Sequence, residues 1–151
     1  VLKRERHAAI IKSLDSMGVK IDFISDGDVS GVISVVNKSR NVDIYMGIGG
    51  APEGILSAAA LKCLDSQMQT RLVFQNEKDK LRSKKLGIVN LEQKYNIEDM
   101  VKGDVIFSAS GVTDGDLVNG IKNYDKFFEV ETFLLHYSSK INKKLKRSIN
   151  K

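Results

Sequence analysis

The sequence has few of the residues that most often narrow a function. One cysteine in 151 residues excludes an internal disulfide and fits a reducing compartment such as the cytoplasm. One proline, with 42% apolar and 28% charged residues, describes a globular chain of one domain, residues 1–151, long enough to bury a core. No apolar run approaches the roughly 18 residues that cross a bilayer, and no signal-peptide pattern is present, so no membrane role is expected. The two histidines, His7 and His136, lack a clustered set of partners and are expected to be structural. Cys63 lies on an apolar segment, where a thiol is expected to be core rather than nucleophile. Val1 stands in place of an initiator methionine and nothing leads into Lys3-Arg4-Glu5-Arg6-His7, which suggests a fragment without its N-terminal part.

The net charge of +5 is local. Between Tyr137 and Lys151 stand Lys140, Lys143, Lys144, Lys146, Arg147 and Lys151 with no acid, which leaves 18 basic against 19 acidic residues elsewhere. Residues 138–151 therefore read as a basic C-terminal tail, a solvated terminus rather than a nucleic-acid footprint.

What the sequence does have is concentrated in Gly47-Ile48-Gly49-Gly50-Ala51-Pro52-Glu53-Gly54. The alternating run Val42 to Met46 enters it and the apolar segment Ile55 to Leu64 leaves it, which predicts strand, glycine turn and buried helix. Glycines without Cβ atoms let the backbone turn sharply and aim N–H groups at an anion. Pro52 suits the first helical position and Glu53 then falls in the first turn. A carboxylate there either complements the helix dipole, worth about 0.3–1 kcal/mol, or holds a cation.

Around that loop, Ile10, Ile11, Leu14 and Met17 share a helical face ending at Gly18. Val19 to Ile24 predicts a strand, closed by Ser25-Asp26-Gly27-Asp28, and Val29 to Val36 a helix. Arg71 to Phe74 predicts a strand, and Asn76 caps a polar, solvated helix to Leu86, stopped by Gly87. Asn96 opens a short helix closing at Gly103, and Val105 to Ala109 predicts a buried strand followed by the loop Ser110 to Asp116. Lys122 to Tyr137 is hairpin-like, with a turn near Asp125. Alternating strands and helices predict a layered α/β/α domain with a mixed, mainly parallel sheet.

Asp26 and Asp28, and in an echo of the same turn Asp114 and Asp116, serve either as turn and cap residues or as acids of a metal-dependent phosphoryl-transfer site. In a parallel α/β sheet their loops and the glycine loop would share one edge. Arg4 and Arg6 supply guanidinium donors suited to phosphate, or a solvated basic end. The glycine loop lacks the Lys and Ser/Thr of a P-loop, since Ile55 and Leu56 follow Gly54, and Pro52 occupies the third glycine position of a Rossmann fingerprint.

Gly47 to Leu64 (GIGGAPEGILSAAALKCL) resembles the most distinctive segment of the class II fructose-1,6-bisphosphatases. Arg4-x-Arg6-His7, Asp26-Gly27-Asp28-Val29, Val101-Lys102-Gly103-Asp104 and Phe107 to Leu117 (FSASGVTDGDL) follow the family's motifs in order. The likeness covers nearly the whole chain and about the second half of the family's length. Glu5 stands where the family often has proline, and Asp65-Ser66 where it often has a glycine pair. The resemblance implies a sugar-phosphatase-like fold, of which this chain is the C-terminal part of a larger two-domain whole. It implies a cytoplasmic hydrolase of gluconeogenesis that removes the 1-phosphate of fructose 1,6-bisphosphate to give fructose 6-phosphate with Mn²⁺ or Mg²⁺. Some members also take sedoheptulose 1,7-bisphosphate. It further implies that Glu53 is a metal ligand, that Gly50 contacts substrate, and that Arg4, Glu5, Arg6, Asp26, Gly27 and Asp28 lie on the bound sugar phosphate. The remaining metal carboxylates belong to the family's N-terminal half, the expected partner of this chain, so the chain alone is expected to be inactive. The oligomeric state stays open, a homo-oligomer included. The rival reading is a non-catalytic sugar-phosphate or nucleotide binding module on the same loop.

Overall fold

The computed structural model describes residues 1–25, 27–36 and 41–151; Asp26 lies outside them. A 3-10 turn, Glu5–His7, leads into α1, Ala8–Ser16, and Gly18 ends that helix with φ +69°. The helices α2, Asp28–Ser34, and α3, Ala51–Cys63, follow. Next come β1, Gln69–Arg71, α4, Glu77–Lys85, β2, Lys94–Asn96, and α5, Ile97–Met100. The chain closes with β3, Ile106–Ser110, β4, Lys122–Asn123, β5, Phe127–His136, and β6, Ile141–Asn150.

Helix starts follow their caps. The Asn76 side chain accepts the Asp79 N–H at 3.0 Å and opens α4, which buries none of its residues. At α3 the helix begins at Ala51, so Pro52 takes the second position rather than the first; its missing N–H is harmless at either. The buried part of α3 is its second half, Ser57, Ala58, Ala60, Leu61, Lys62 and Cys63, whereas Ile55 and Leu56 are about half exposed. Buried Lys62 is satisfied, its Nζ donating to the Val101 carbonyl at 2.8 Å and to Glu98 at 3.0 Å.

The sheets correct the expected topology. Every strand ladder among the described residues is antiparallel: β1 pairs β2, and β5 pairs β3 and β4 on one edge and β6 on the other. Among the described residues the one parallel contact is the isolated bridge Leu2↔Ile24. A mainly parallel, layered α/β/α sandwich is therefore not what these residues form; the chain is α/β with antiparallel sheets. Two expected strands are also corrected. The segments at Val19 to Ile24 and Val42 to Met46 form no ladder, apart from that bridge. Alternation reports half-burial, and a strand further requires a neighbour for its backbone hydrogen bonds. The hairpin turn near Asp125 is present, with Tyr124 N–H donating to the Phe127 carbonyl at 2.9 Å. The basic run after Tyr137 pairs along its length with β5 as β6.

Two hydrophobic clusters meet on α3. Ile33, Ala60, Cys63, Phe107, Phe133 and Leu135 form one, with Phe107 and Phe133 edge to face at 6.5 Å. Ala58, Leu61, Ile97 and Val101 form the other. Because α3 is anchored on both sides, its N-terminus and the glycine loop before it have a fixed seat.

Candidate active site

The glycine loop is held from below by His7, a fully buried side chain. Its Nδ1 lies 2.7 Å from the Leu2 carbonyl, and the Ile48 N–H points at Nε2 from 2.8 Å. The tautomer with the proton on Nδ1 satisfies both contacts: it donates to Leu2 and accepts from Ile48. His7 is thus a structural clamp that ties the N-terminal stretch to the loop.

Arg6 runs beside it. Its Nε donates to the Ile48 carbonyl at 2.6 Å and its Nη2 to Asp28 Oδ2 at 3.3 Å. The other Asp28 oxygen accepts the Tyr45 hydroxyl at 3.0 Å. Burial, and then the bond to Asp28, pushes the Tyr45 hydroxyl well above its ordinary value, so it remains a donor throughout the working pH range. The ring of Tyr45 reaches Asp28 by lying against Gly31 of α2. A Cβ on Gly31 would come within 2.4 Å of Ile24 and 2.9 Å of the Tyr45 ring, so only glycine allows this approach.

Glu53 closes the group from the α3 side. Its Oε2 accepts the Gly50 N–H at 2.7 Å, the carboxylate half of a capping box. A Cβ on Gly49 would stand 3.3 Å from Glu53 Oε2 and 3.6 Å from Asp28 Oδ2, so both carboxylates border the same glycine. A Cβ on Gly50 would stand 3.0 Å from Glu53 Oε2. The loop amides are less open than the sequence suggested, because the Ile48 N–H serves His7 and the Gly50 N–H serves Glu53.

The structure therefore brings Arg6, Asp28, Gly50 and Glu53 together and adds Tyr45, from the run Val42 to Met46. Gly27, with φ +83°, stands at the N-terminus of α2 beside Asp28. Arg4 and Glu5 line a different, open hollow with Ile11, Lys12 and Asp15. The third acidic loop does not join the group. Asp114 accepts the Gly120 N–H at 2.8 Å and closes its own turn, and Asp116 lines a hollow behind α2 with Ser30, Ser34 and Lys144. Such a separation is expected once the strands are antiparallel, since successive loops then leave opposite ends of the sheet.

Among the described residues no group of three or more His, Cys, Asp or Glu side chains is gathered to hold a metal ion. Asp28 has one oxygen on Arg6 and the other on Tyr45, and Glu53 shares one with a backbone N–H. As a set these residues do not fit a divalent cation; Glu53 fits as one member of a larger set. Among the described residues no helix is long and apolar enough to cross a membrane.

Comparison with known proteins places the chain in a family. The profile of the family described as bacterial fructose-1,6-bisphosphatase, glpX-encoded, matches residues 1–149. The chain is 36% identical over 158 residues to "Fructose-1,6-bisphosphatase class 2" of Haemophilus influenzae, covering 96% of this chain and 47% of that protein. It is 32% identical to a "D-fructose 1,6-bisphosphatase class 2/sedoheptulose 1,7-bisphosphatase" of Synechococcus sp., covering 93% of this chain and 44% of that protein. A protein of the same description from Microcystis aeruginosa is 33% identical over the same shares. The chain thus spans about half the length of these relatives. With the match running over all but its last residues, the chain belongs to the glpX-encoded bacterial fructose-1,6-bisphosphatase family.

Proposed function

We propose that this chain carries the sugar-phosphate side of a class II fructose-1,6-bisphosphatase, an enzyme that hydrolyses the 1-phosphate of fructose 1,6-bisphosphate, and in some relatives of sedoheptulose 1,7-bisphosphate. The observation that carries this reading is the convergence of Arg6, Asp28 and Glu53 on one glycine loop in a chain of this family. Arg6 is fixed by the Ile48 carbonyl and Asp28, so it presents its fork to a phosphate with little ordering left to do. Asp28 accepts a hydrogen bond from a sugar hydroxyl, with Tyr45 holding the carboxylate in place and Gly27 keeping the backbone close. Gly50 gives the substrate a surface without a side chain. Arg4 and Glu5 extend the contact from the adjoining hollow, and Asp26 belongs to the same set by sequence.

Glu53 contributes one carboxylate to a Mn²⁺ or Mg²⁺ site whose other ligands come from the part of the relatives that this chain does not span. When bound, such an ion supplies positive charge for the phosphoryl oxygens. The residues of this chain bind and orient the sugar phosphate and do not by themselves hydrolyse it. A tight complex with fructose 1,6-bisphosphate in the absence of any divalent ion would favour the binding-module reading instead.

The test joins this chain to the N-terminal half of the Haemophilus influenzae relative and compares it with the chain alone. Phosphate release from fructose 1,6-bisphosphate is expected from the joined protein with Mn²⁺ or Mg²⁺ and not from the chain alone. Steady release by the chain alone, or none from a folded joined protein, contradicts the proposal.

A further inference from the structure

Burying a histidine costs more than burying a leucine of similar bulk, because both ring nitrogens then need partners inside the protein. His7, at 0% exposure, finds both on the backbone. Nδ1 donates to the Leu2 carbonyl at 2.7 Å, and Nε2 accepts the Ile48 N–H at 2.8 Å. Ile48 lies in neither helix nor strand, so side chains serve its polar groups: His7 takes the N–H, and the Arg6 Nε donates to the carbonyl at 2.6 Å. That carbonyl oxygen also lies 3.0 Å from His7 Nε2. With the proton on Nδ1 both of these atoms are acceptors, and the Arg6 guanidinium offsets their repulsion. Two consecutive residues, 6 and 7, thus hold one peptide of the glycine loop.

The other side of the ring leads to α2. Leu2, 2% exposed, bridges to Ile24; the Lys3 N–H donates to the Ile24 carbonyl and the Ile24 N–H to the Val1 carbonyl, both at 3.1 Å. Ile24 lies against Gly31 of α2, the helix whose first residue is Asp28. His7 therefore stands between the segments that carry Arg6, Asp28 and the glycine loop, and it reaches the first two without meeting solvent.

We propose that His7 is a positioning residue for phosphate binding: it fixes the Ile48 peptide, and the Ile48 carbonyl in turn aims Arg6. Arg6 is the group that touches phosphate, and His7 lies beneath it. With Nε held by Ile48 and Nη2 by Asp28, the Arg6 fork is ordered before substrate arrives. Without His7 the Ile48 peptide loses its anchor, Arg6 Nε loses a fixed acceptor, and the guanidinium keeps Asp28 alone. The metal side is separate: Glu53 is held by the Gly50 N–H and α3 by its two core clusters, with no bond to His7. The role rests on the proposed phosphatase function and divides binding from turnover within it. Loss of His7 weakens ground-state and transition-state binding alike, which raises KM and leaves kcat in place.

The test uses the joined enzyme with His7→Leu, which fills the space and makes neither bond, and His7→Gln, whose amide oxygen still accepts the Ile48 N–H. KM for fructose 1,6-bisphosphate is expected to rise about tenfold in His7→Leu and about threefold in His7→Gln, with kcat within about twofold of the unsubstituted protein. Adding His7→Leu to Arg6→Ala is expected to leave KM where Arg6→Ala alone puts it, because both changes remove one interaction. Labelling of Arg6 by phenylglyoxal, followed by mass spectrometry, needs no turnover. It is expected to quicken in both His7 variants while labelling of the exposed Arg71 stays the same. Where His7→Leu does not fold, His7→Gln carries both readings. An unchanged KM, a fall in kcat without a rise in KM, additive losses in the double variant, or unchanged Arg6 labelling overturns the inference. So does failure of both single variants to fold, which makes the histidine a packing element only. A folded joined protein that releases no phosphate contradicts the phosphatase function instead, and the labelling still decides whether His7 holds Arg6.

Discussion

Arg6 Nη2 meets Asp28 Oδ2 at 3.3 Å while Arg6 Nε holds the Ile48 carbonyl at 2.6 Å, so one side chain joins the N-terminal stretch, the glycine loop and the start of α2. The pairing has a consequence for binding. Asp28 is mostly buried, at 16% side-chain exposure, and its oxygens are shared between Arg6 and Tyr45. Removing one partner frees or strands the others.

Arg6→Ala in the joined enzyme is expected to raise KM for fructose 1,6-bisphosphate and lower kcat/KM by about 10- to 100-fold, the scale of one charge-assisted hydrogen-bonding group. Arg6→Lys recovers only part of this, because an ammonium cannot reach the carbonyl and the carboxylate as a fork. Steady-state kinetics on both variants checks the order.

Gly31→Ala is expected to destabilise the chain by about 1–3 kcal/mol, since the added carbon collides with Ile24 and the Tyr45 ring. Tyr45→Phe keeps that packing and removes one hydrogen bond, with an expected cost of about 0.5–1.5 kcal/mol. Urea unfolding of the two variants separates crowding from the lost bond: Gly31→Ala is the more damaging.

The convergence of these residues was only partly legible in the sequence. Helices α2, α3 and α4 were readable because Gly, Asn76 and Pro52 mark their ends locally. The antiparallel sheet was hidden because alternation in Val19 to Ile24 and Val42 to Met46 signals half-burial without naming a partner, and among the described residues these segments join no ladder, only the single bridge Leu2↔Ile24. The strand β6 read as a tail, because its apolar residues Ile141, Leu145 and Ile149 recur every fourth position and its core-side residues, Asn142, Lys144 and Lys146, are polar. Arg6, Asp28 and Glu53 were named from their motifs, but only the fold shows that they meet while Asp114 turns inward. His7 was expected to be structural and is, but its partners Leu2 and Ile48 were not legible, and Tyr45 carried no local signal, since a tyrosine in an alternating run is ordinary.

Acid is expected to loosen the join between β3 and the β5–β6 turn. The Ser138 hydroxyl, the His136 ring, and the backbone N–H groups of Ser138 and Val105 hold the Asp104 carboxyl well below the usual aspartate range. A depressed folded-state value means the stabilisation is fully present above the ordinary aspartate value of about 4 and is lost as pH falls below it. Asp104→Asn is expected to be less stable at neutral pH and to show a flatter stability profile below about pH 4. Thermal melts between neutral and acid pH read the difference; parallel profiles for the two proteins contradict the assignment.

Cys63 is expected to react slowly. Burial pushes its thiol up, with the Asp104 charge adding to the effect, and its Sγ lies 3.6 Å from the Val105 carbonyl inside the core. Alkylation by iodoacetamide is expected to proceed only on unfolding, and mass spectrometry at graded urea concentrations follows it.

Glu53 is the residue on which the functional account turns, and Glu53→Gln in the joined enzyme is its most direct measurement. The amide oxygen retains an acceptor for the Gly50 N–H, so α3 and the loop keep their geometry while the charge is lost. The account predicts an unchanged melting temperature and a fall of more than about 100-fold in turnover of fructose 1,6-bisphosphate at saturating Mn²⁺, beyond the loss usual for an outer-shell partner. Turnover within a few-fold of the unsubstituted protein, with the fold intact, contradicts it.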